Sequence, residues 1–285
     1  MCWASGSNLF AAAGQRLGSV ILNRLRLATA AVLLALTLTI ARGSPWPTWA
    51  SSTQIGWLGL SGLIGYLFGD SNYFRSLVIL GPSRAALLSS LAPLFTAALA
   101  WPILGEHPGP LVLLGMALTL GGVAWVMIER ERIEHVHVEG STRAGMIAGV
   151  LGAIGQAGGY VTSKLALRTG IDPLSATVVR IAAAAAGIWL IALAQRDARR
   201  TVAAFRDRGA MRFMLGGAAL GPFLGVVLAL FALQRIPAGV ASSIIAFFPV
   251  LTILLAARFH GEKLTVRIMG GALVAVAGVV VLFLR

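Results

Sequence analysis

The chain has 285 residues, of which 58% are hydrophobic and 12% charged, and its mean hydropathy is +0.86. Soluble globular proteins are about 25% charged, so this composition excludes an ordinary soluble protein and indicates many membrane-spanning segments. The net charge of +13 does not indicate nucleic-acid binding, because no aromatic residues alternate with the basic ones. The single cysteine, Cys2, excludes a disulfide within the chain.

Nine stretches of about 20 mostly apolar residues are long enough to cross a bilayer as helices. In chain order they are residues 19–41, 55–80, 82–104, 109–128, 145–166, 174–194, 212–233, 238–257 and 265–284. The intervals carry Gly, Pro or charged residues, as turns do. A tenth apolar stretch, residues 1–13, has about half the length of a span.

Residues 1–129 and 157–285 repeat each other at a fixed offset of 156 without gaps. The matched pairs include Arg24 with Arg180, Gly69 with Gly225, Pro93 with Pro249 and Gly105-Glu106 with Gly261-Glu262. A duplication in so apolar a chain is typical of transporters built from two halves around a central site. Each half holds five segments, and an odd number predicts that the second copy enters the membrane from the opposite side.

The repeat therefore predicts an all-α polytopic membrane protein with ten transmembrane helices in two inverted five-helix repeats. We expect residues 1–129 to form the first repeat, 130–144 a charged linker and 145–285 the second repeat. The first helix is expected to be truncated, because its counterpart begins near Gly145 and the matching residues would precede Met1. A start of translation further upstream is favoured over the loss of half a helix.

Pro93 and Pro249 lie at matched positions in the middle of segments 82–104 and 238–257. A proline there removes a helical hydrogen bond and kinks the helix, which neighbouring helices can accommodate. Matched kinks in two inverted helices indicate a gate, and bends that simply fit the bundle are an equal alternative.

Asp70 is the one acid well inside a predicted helix, and ionisable residues there are costly and are the first candidates for function. A carboxylate in a span needs a cation, a metal or a proton. The candidate partners Arg24, Arg75 and Arg84 are expected in the same half of the membrane, and Arg24 has a side chain long enough to reach Asp70. An ion pair that fixes helix packing is the first interpretation, and a substrate or proton site is the second.

The two copies differ here, because Val226 stands where the repeat would place a second Asp70. A proton site would therefore be asymmetric. Arg180, the partner of Arg24, has no equivalent acid. We expect it to extend toward the membrane surface rather than to bind a carbonyl or an anionic substrate group.

Gln156, Tyr160 and Lys164 are spaced four residues apart on segment 145–166 and form one polar stripe. Such a stripe normally faces the interior of a bundle, so Gln156 and Tyr160 are candidates for a substrate cavity. Lys164 lies near the helix end and is expected to reach the membrane surface. Asn8 and Tyr73 are the further cavity candidates in the first half.

His135 and His137 alternate in the linker, but no further Cys or His lies near them, so a zinc site is not expected. The sequence has no phosphate-binding loop, nucleophile elbow or pair of catalytic carboxylates. We therefore expect neither an enzyme nor an ATP-driven pump, and no cofactor.

Runs of residues in both halves carry a family pattern. In the first half they are Gly69-Asp70-Ser71-Asn72-Tyr73-Phe74-Arg75, Gly81-Pro82-Ser83-Arg84-Ala85-Ala86, Leu91-Ala92-Pro93 and Leu104-Gly105-Glu106. In the second half they are Ser163-Lys164, Arg180, Phe248-Pro249 and Gly261-Glu262. With these runs the chain resembles EamA-type proteins of the drug/metabolite transporter superfamily. The resemblance implies ten helices, a cavity lined by both halves, and alternating-access transport of a small metabolite across a bacterial inner membrane.

Loop charges and the resemblance disagree about orientation. The loop 195–212 carries six arginines against two aspartates, and the loop 258–267 adds Arg258, Lys263 and Arg267. Basic loops favour the cytoplasm, which would place both termini outside. The resemblance implies that both termini lie inside.

Together these features predict a secondary transporter that exports a small metabolite or drug. A passive facilitator is the alternative within transport, and a lipid-scrambling protein or an accessory subunit is the alternative outside it. The expected partners are a small-molecule substrate and the lipid bilayer, with no nucleic acid, and a homodimer is left open.

Overall fold

The computed structural model describes residues 2–133, 142–251, 253 and 265–284, and all regular structure among them is helical. Seven helices in these ranges are long and apolar enough to cross a membrane. They are Ser19–Arg42, Arg84–Leu104, Pro110–Arg132, Thr142–Leu167, Pro173–Ala194, Arg208–Arg235 and Val266–Phe283.

The helices are numbered in chain order. The first seven are α1 (Cys2–Leu17), α2 (Ser19–Arg42), α3 (Ser52–Gly62), α4 (Asp70–Leu80), α5 (Pro82–Ser89), α6 (Ala92–Leu104) and α7 (Pro110–Ile133). The next seven are α8 (Thr142–Leu167), α9 (Pro173–Ala194), α10 (Ala198–Ala203), α11 (Arg208–Ala218), α12 (Val226–Arg235), α13 (Ala238–Ile245) and α14 (Val266–Phe283).

The predicted breakers lie at helix ends. Gly43 and Gly105 adopt left-handed conformations, with φ of 77° and 66°, and end α2 and α6. The Ser51 side chain accepts the Gln54 backbone N–H while the Gln54 side chain accepts the Ser51 backbone N–H, which caps α3. The side chain of Asp172 accepts a backbone N–H and so caps α9 without a second residue.

Two helices, α7 and α8, extend into the ends of the predicted linker 130–144. α7 continues to Ile133 and α8 begins at Thr142, whereas the sequence predicted a span ending at 128 and another starting at 145. The intervening residues, including His135 and His137, lie outside the described residues.

Two π-helical segments interrupt long helices at matched positions. Leu63–Gly69 joins α3 to α4, and Ala219–Gly225 joins α11 to α12. The two segments coincide at the offset of 156 that relates the sequence copies. They were not predicted, because apolar helical sequence carries no signal for a change from i+4 to i+5 hydrogen bonding.

The described chain forms two compact units. The first comprises Met1–Ser71 and Thr162–Arg235, and the second comprises Asn72–Val161 and Ile236–Arg285. Each unit draws on both copies of the sequence repeat.

Close backbone contact brings α3 against α9 in the first unit. A Cβ atom built on Gly62 would lie 2.1 Å from the carbonyl oxygen of Arg180, so only glycine fits there. Contacts of this kind hold helices together where no water drives association. This contact fixes the position of Arg180 next to the π segment that follows Gly62.

In the second unit α7 packs against α14 through glycines of both helices. A Cβ on Gly122 would lie 2.6 Å from the carbonyl oxygen of Gly271, and a Cβ on Gly278 would lie 2.8 Å from that of Gly115. The offset of 156 converts Gly115 into Gly271 and Gly122 into Gly278. Two duplicated helices thus meet through equivalent positions.

A break in the helix precedes each of the two matched prolines. The α-helical pattern stops at residues 90–91, two positions before Pro93, and at residues 246–247, two positions before Pro249. Equivalent backbone hydrogen bonds surround both breaks. Both helices are therefore interrupted where kinks were predicted, and the use of these breaks as a gate stays a prediction.

Candidate functional site

The first unit buries an excess of positive charge. Among its described residues, Arg24, Arg26, Lys164 and Arg180 are each 6% exposed or less, and Asp70 is the one buried carboxylate, at 5%. Charge buried within apolar helices is costly, so these side chains define the candidate site.

Asp70 forms an ion pair with Arg26. Asp70 is the first residue of α4, and its Oδ2 accepts a hydrogen bond from Nη2 of Arg26 on α2. Arg26 Nε also donates to Asn23 Oδ1 at 2.8 Å, and its guanidinium carbon lies 5.7 Å from the centre of the Phe10 ring. Three helices therefore hold one guanidinium against the carboxylate.

The predicted pairing of Asp70 with Arg24 is wrong. Arg24 Nη1 donates instead to Asp197 Oδ2 at 2.7 Å and to Thr201 Oγ1 at 3.1 Å. Both acceptors belong to the loop between α9 and α11, where α10 forms a short helix that was not predicted. Arg24 therefore ties this loop to α2.

The other two predicted partners, Arg75 and Arg84, belong to the second unit. Arg84 Nε donates to Glu131 Oε1 at 2.6 Å, and Arg75 is exposed. Arg26 was missed because the repeat singles out Arg24, two residues earlier. Residues two apart on a helix point about 200° away from each other, so only one of them can face α4.

Arg180 is buried and does not reach a surface, which makes the prediction of an extended side chain wrong. It is 2% exposed, and its guanidinium carbon lies 4.8 Å from the centre of the Tyr66 ring. Its Nε and Nη1 atoms are buried and have no hydrogen-bond partner. The contact between Gly62 and the Arg180 backbone holds the side chain inside the unit.

Tyr66 lies near both arginines. It lies in the π segment one turn before Asp70, within electrostatic range of Asp70, Arg26 and Arg180. We call Arg26, Tyr66, Asp70 and Arg180, together with Asn23, the arginine cluster. Two guanidiniums and one carboxylate leave the cluster with one excess positive charge.

The π geometry of the cluster is duplicated, but its polar side chains are not. In the second copy, Pro222 and Val226 stand in place of Tyr66 and Asp70. π segments inside α-helices occur frequently at functional sites. The polar member of this matched pair is therefore the stronger candidate for a site.

The remaining predicted cavity residues lie in different places. Lys164 is 6% exposed within the first unit, so the prediction that it reaches the membrane surface is wrong. Gln156, Tyr160 and Tyr73 belong to the second unit and are half-buried. Asn8 lies on α1, and its side chain is outside the described part of the structure.

A cavity in the second unit is too small for a metabolite. It measures about 60 Å³ and is lined in part by Glu106, His107 and Met116. Ligand pockets typically measure about 300–1,000 Å³.

Glu106 accepts the backbone N–H of Ala238 at 2.6 Å, which caps α13. No group of three metal-binding side chains occurs in the described ranges.

Apolar helices with a buried charged cluster define a polytopic membrane protein. The sequence matches the EamA-like transporter family over residues 1–128 and 143–284, and the chain belongs to this family. It is thus a membrane protein of the drug/metabolite transporter type, and the family is one of transporters rather than enzymes.

No match is found among curated protein sequences. A solved crystal structure of a protein superposes with a TM-score of 0.75 over 99% of this chain and 93% of that chain. The two sequences are 18% identical, so the likeness shows a shared fold and no activity.

Proposed function

We propose that the protein is a secondary transporter that exports a small metabolite or drug by alternating access from a bacterial inner membrane. The observation that carries the proposal is the arginine cluster, which places an ion pair and a second guanidinium among apolar helices of a transporter-family chain. Such charges are retained in membrane proteins mainly along substrate or ion pathways.

The proposal includes ten membrane helices. To the seven long spans it adds α1, the helix from α3 through α4, and the shorter apolar helix Ala238–Leu251. It also relates the two copies by a pseudo-two-fold axis in the membrane plane. The glycine contacts between α7 and α14, the matched helix breaks and the matched π segments support this relation.

We further propose that the breaks before Pro93 and Pro249 are the gate. Replacing either proline with alanine should lower the transport rate several-fold and leave the concentration for half-maximal rate unchanged. Pro102→Ala is the matched control, because Pro102 lies inside α6 away from a break. Wild-type rates in both Pro93→Ala and Pro249→Ala would reject the gate.

Transport is tested by loading proteoliposomes with a bacterial metabolite extract and measuring efflux by mass spectrometry, with and without a pH gradient. The proposal predicts efflux of selected metabolites that an opposing gradient accelerates. Efflux no faster than from protein-free liposomes would contradict it. A role of Asp70 in coupling would be wrong if Asp70→Asn keeps the rate and its pH dependence.

The passive facilitator is supported by one specific observation. Asp70 is already bonded to Arg26, which is sufficient for a purely structural role. In that case substrate counterflow would be as fast without an ion gradient as with one, and a pH gradient would not change the rate of efflux.

A further inference from the structure

We propose that the arginine cluster binds an oxyanion, a carboxylate or phosphate group of a small molecule, on the guanidinium of Arg180. That this molecule is the transported one rests on the proposed function. The binding site itself rests on the charge, the burial and the unfilled hydrogen bonds of the cluster.

The buried charges of the arginine cluster do not balance. The cluster buries the guanidiniums of Arg26 and Arg180 with one carboxylate, that of Asp70, which is bonded to Arg26. An excess of buried positive charge in apolar surroundings is costly unless an anion neutralises it. A neutral or cationic ligand would leave that cost in place.

The guanidinium of Arg180 has unused hydrogen-bond donors. A guanidinium has five N–H donors and commonly receives a carboxylate or phosphate through two parallel hydrogen bonds. Nε and Nη1 of Arg180 are both buried without an acceptor, and the contact with Tyr66 uses a ring face instead of a hydrogen bond. Buried donors are nearly always satisfied in proteins, and Arg180 leaves two of them unsatisfied where its repeat partner Arg24 leaves Nε alone.

The repeat provides a second arginine for comparison with Arg180. Arg24 occupies the same position in the first copy and is bonded to the carboxylate of Asp197 and the hydroxyl of Thr201. Subtracting the offset from these two acceptors gives Ala41 and Pro45, which can provide neither group to Arg180. A ligand oxyanion would therefore supply to Arg180 what Asp197 supplies to Arg24.

Binding is tested on the full-length protein in detergent, by thermal unfolding in potassium succinate, potassium phosphate and potassium chloride at equal ionic strength. Succinate or phosphate should raise the unfolding temperature with saturation, whereas chloride should not. Arg180→Gln should raise the half-saturating concentration about tenfold or more, as expected for a lost charged hydrogen bond. Arg180→Lys should keep the fold and weaken binding, since it keeps the charge without the planar fork.

Arg24→Gln is the matched control, because it removes an equally buried arginine whose acid is already present. It should lower the unfolding temperature and keep the half-saturating concentration of the wild type. Equal half-saturation in wild type and Arg180→Gln, or no shift with either anion, would overturn the inference. A shift with phosphatidylglycerol vesicles that neither soluble anion produces would assign the site to lipid and overturn it as a site for small molecules.

The efflux measurement separates this inference from the proposed function. Anion binding that depends on Arg180, without efflux of any metabolite, would keep the site and contradict transport. Efflux confined to neutral and cationic metabolites would keep transport and overturn the assignment of the transported molecule to the oxyanion site.

Discussion

Arg24 and Arg180 occupy equivalent positions in the two copies of the sequence repeat, and each is 2% exposed. Arg24 is bonded to a carboxylate and a hydroxyl through Nη1 and leaves Nε unbonded, whereas Arg180 faces the ring of Tyr66 and leaves both Nε and Nη1 unbonded. The duplication kept the two charges, and divergence of the neighbours changed what surrounds them. The arginine with neighbours that supply an acid stabilises the fold, and the other is left for a ligand.

The largest expected effect comes from removing the carboxylate that is bonded to Arg26. Arg26 then becomes, like Arg180, a buried guanidinium without a bonded carboxylate. Asp70→Asn should lower the free energy of unfolding by about 3–5 kcal/mol, because it leaves a buried charge without its carboxylate. Chemical denaturation in detergent measures this. The control Arg26→Leu/Asp70→Leu should recover most of the loss, since apolar pairs replace buried ion pairs at little cost. A double variant as unstable as Asp70→Asn would contradict the account.

The next effect displaces the backbone that carries Arg180. Gly62→Ala puts a methyl group 2.1 Å from the Arg180 carbonyl oxygen, so α3 and α9 must move apart. We expect a loss of about 1–3 kcal/mol, as for other overpacked contacts. Gly59→Ala, with nothing within 4 Å of its new methyl group, should be neutral or slightly stabilising. Equal unfolding temperatures for the two variants would reject the close contact.

A smaller effect removes the aromatic ring next to Arg180. Tyr66→Leu should cost about 1–2 kcal/mol, from the value of an exposed cation–π contact up to that of a desolvated one. Tyr66→Phe keeps the ring face and should unfold at the wild-type temperature. If Tyr66→Phe loses as much as Tyr66→Leu, the hydroxyl rather than the ring supports Arg180.

The smallest effect lies near the loop that holds Arg24. The backbone N–H of Ala210 lowers the pKa of Asp207 below its usual range, and Arg16 lowers that pKa further. The stability this carboxylate contributes is present above its usual pKa and is lost as the pH falls through the lowered one. Asp207→Asn should reduce stability slightly at neutral pH and converge with wild type in acid. Parallel melting curves from pH 7 to pH 3 would contradict this.

Much of the fold could be predicted from the sequence. The apolar stretches locate the helices to within a few residues, because a span needs a fixed length. The offset of 156 also matched the two proline positions, and both show an interrupted helix. The family was recognisable from short runs such as the one around Asp70, and the match to it covers nearly the whole chain.

The partners inside the cluster could not be predicted, because they depend on rotation about helix axes. The π segment Leu63–Gly69 changes the direction in which Asp70 points, and nothing in its sequence marks it. The burial of Arg180 depends on the contact at Gly62, which links residues far apart in the chain. The sequence therefore singles out Asp70 but not Arg26, and it predicts a position near the membrane surface for Arg180, which is buried.

The most direct test of the account compares the unfolding temperatures of Arg24→Met and Arg180→Met in detergent without added anions. Arg24→Met leaves Asp197, 30% exposed, without its guanidinium and should unfold at a lower temperature than wild type. Arg180→Met removes a buried unbonded charge, whose desolvation costs several kcal/mol, and loses a contact worth about 2 kcal/mol, so it should unfold at a higher temperature. A fall in the unfolding temperature of Arg180→Met as large as that of Arg24→Met would contradict the claim that Arg180 is kept for a ligand.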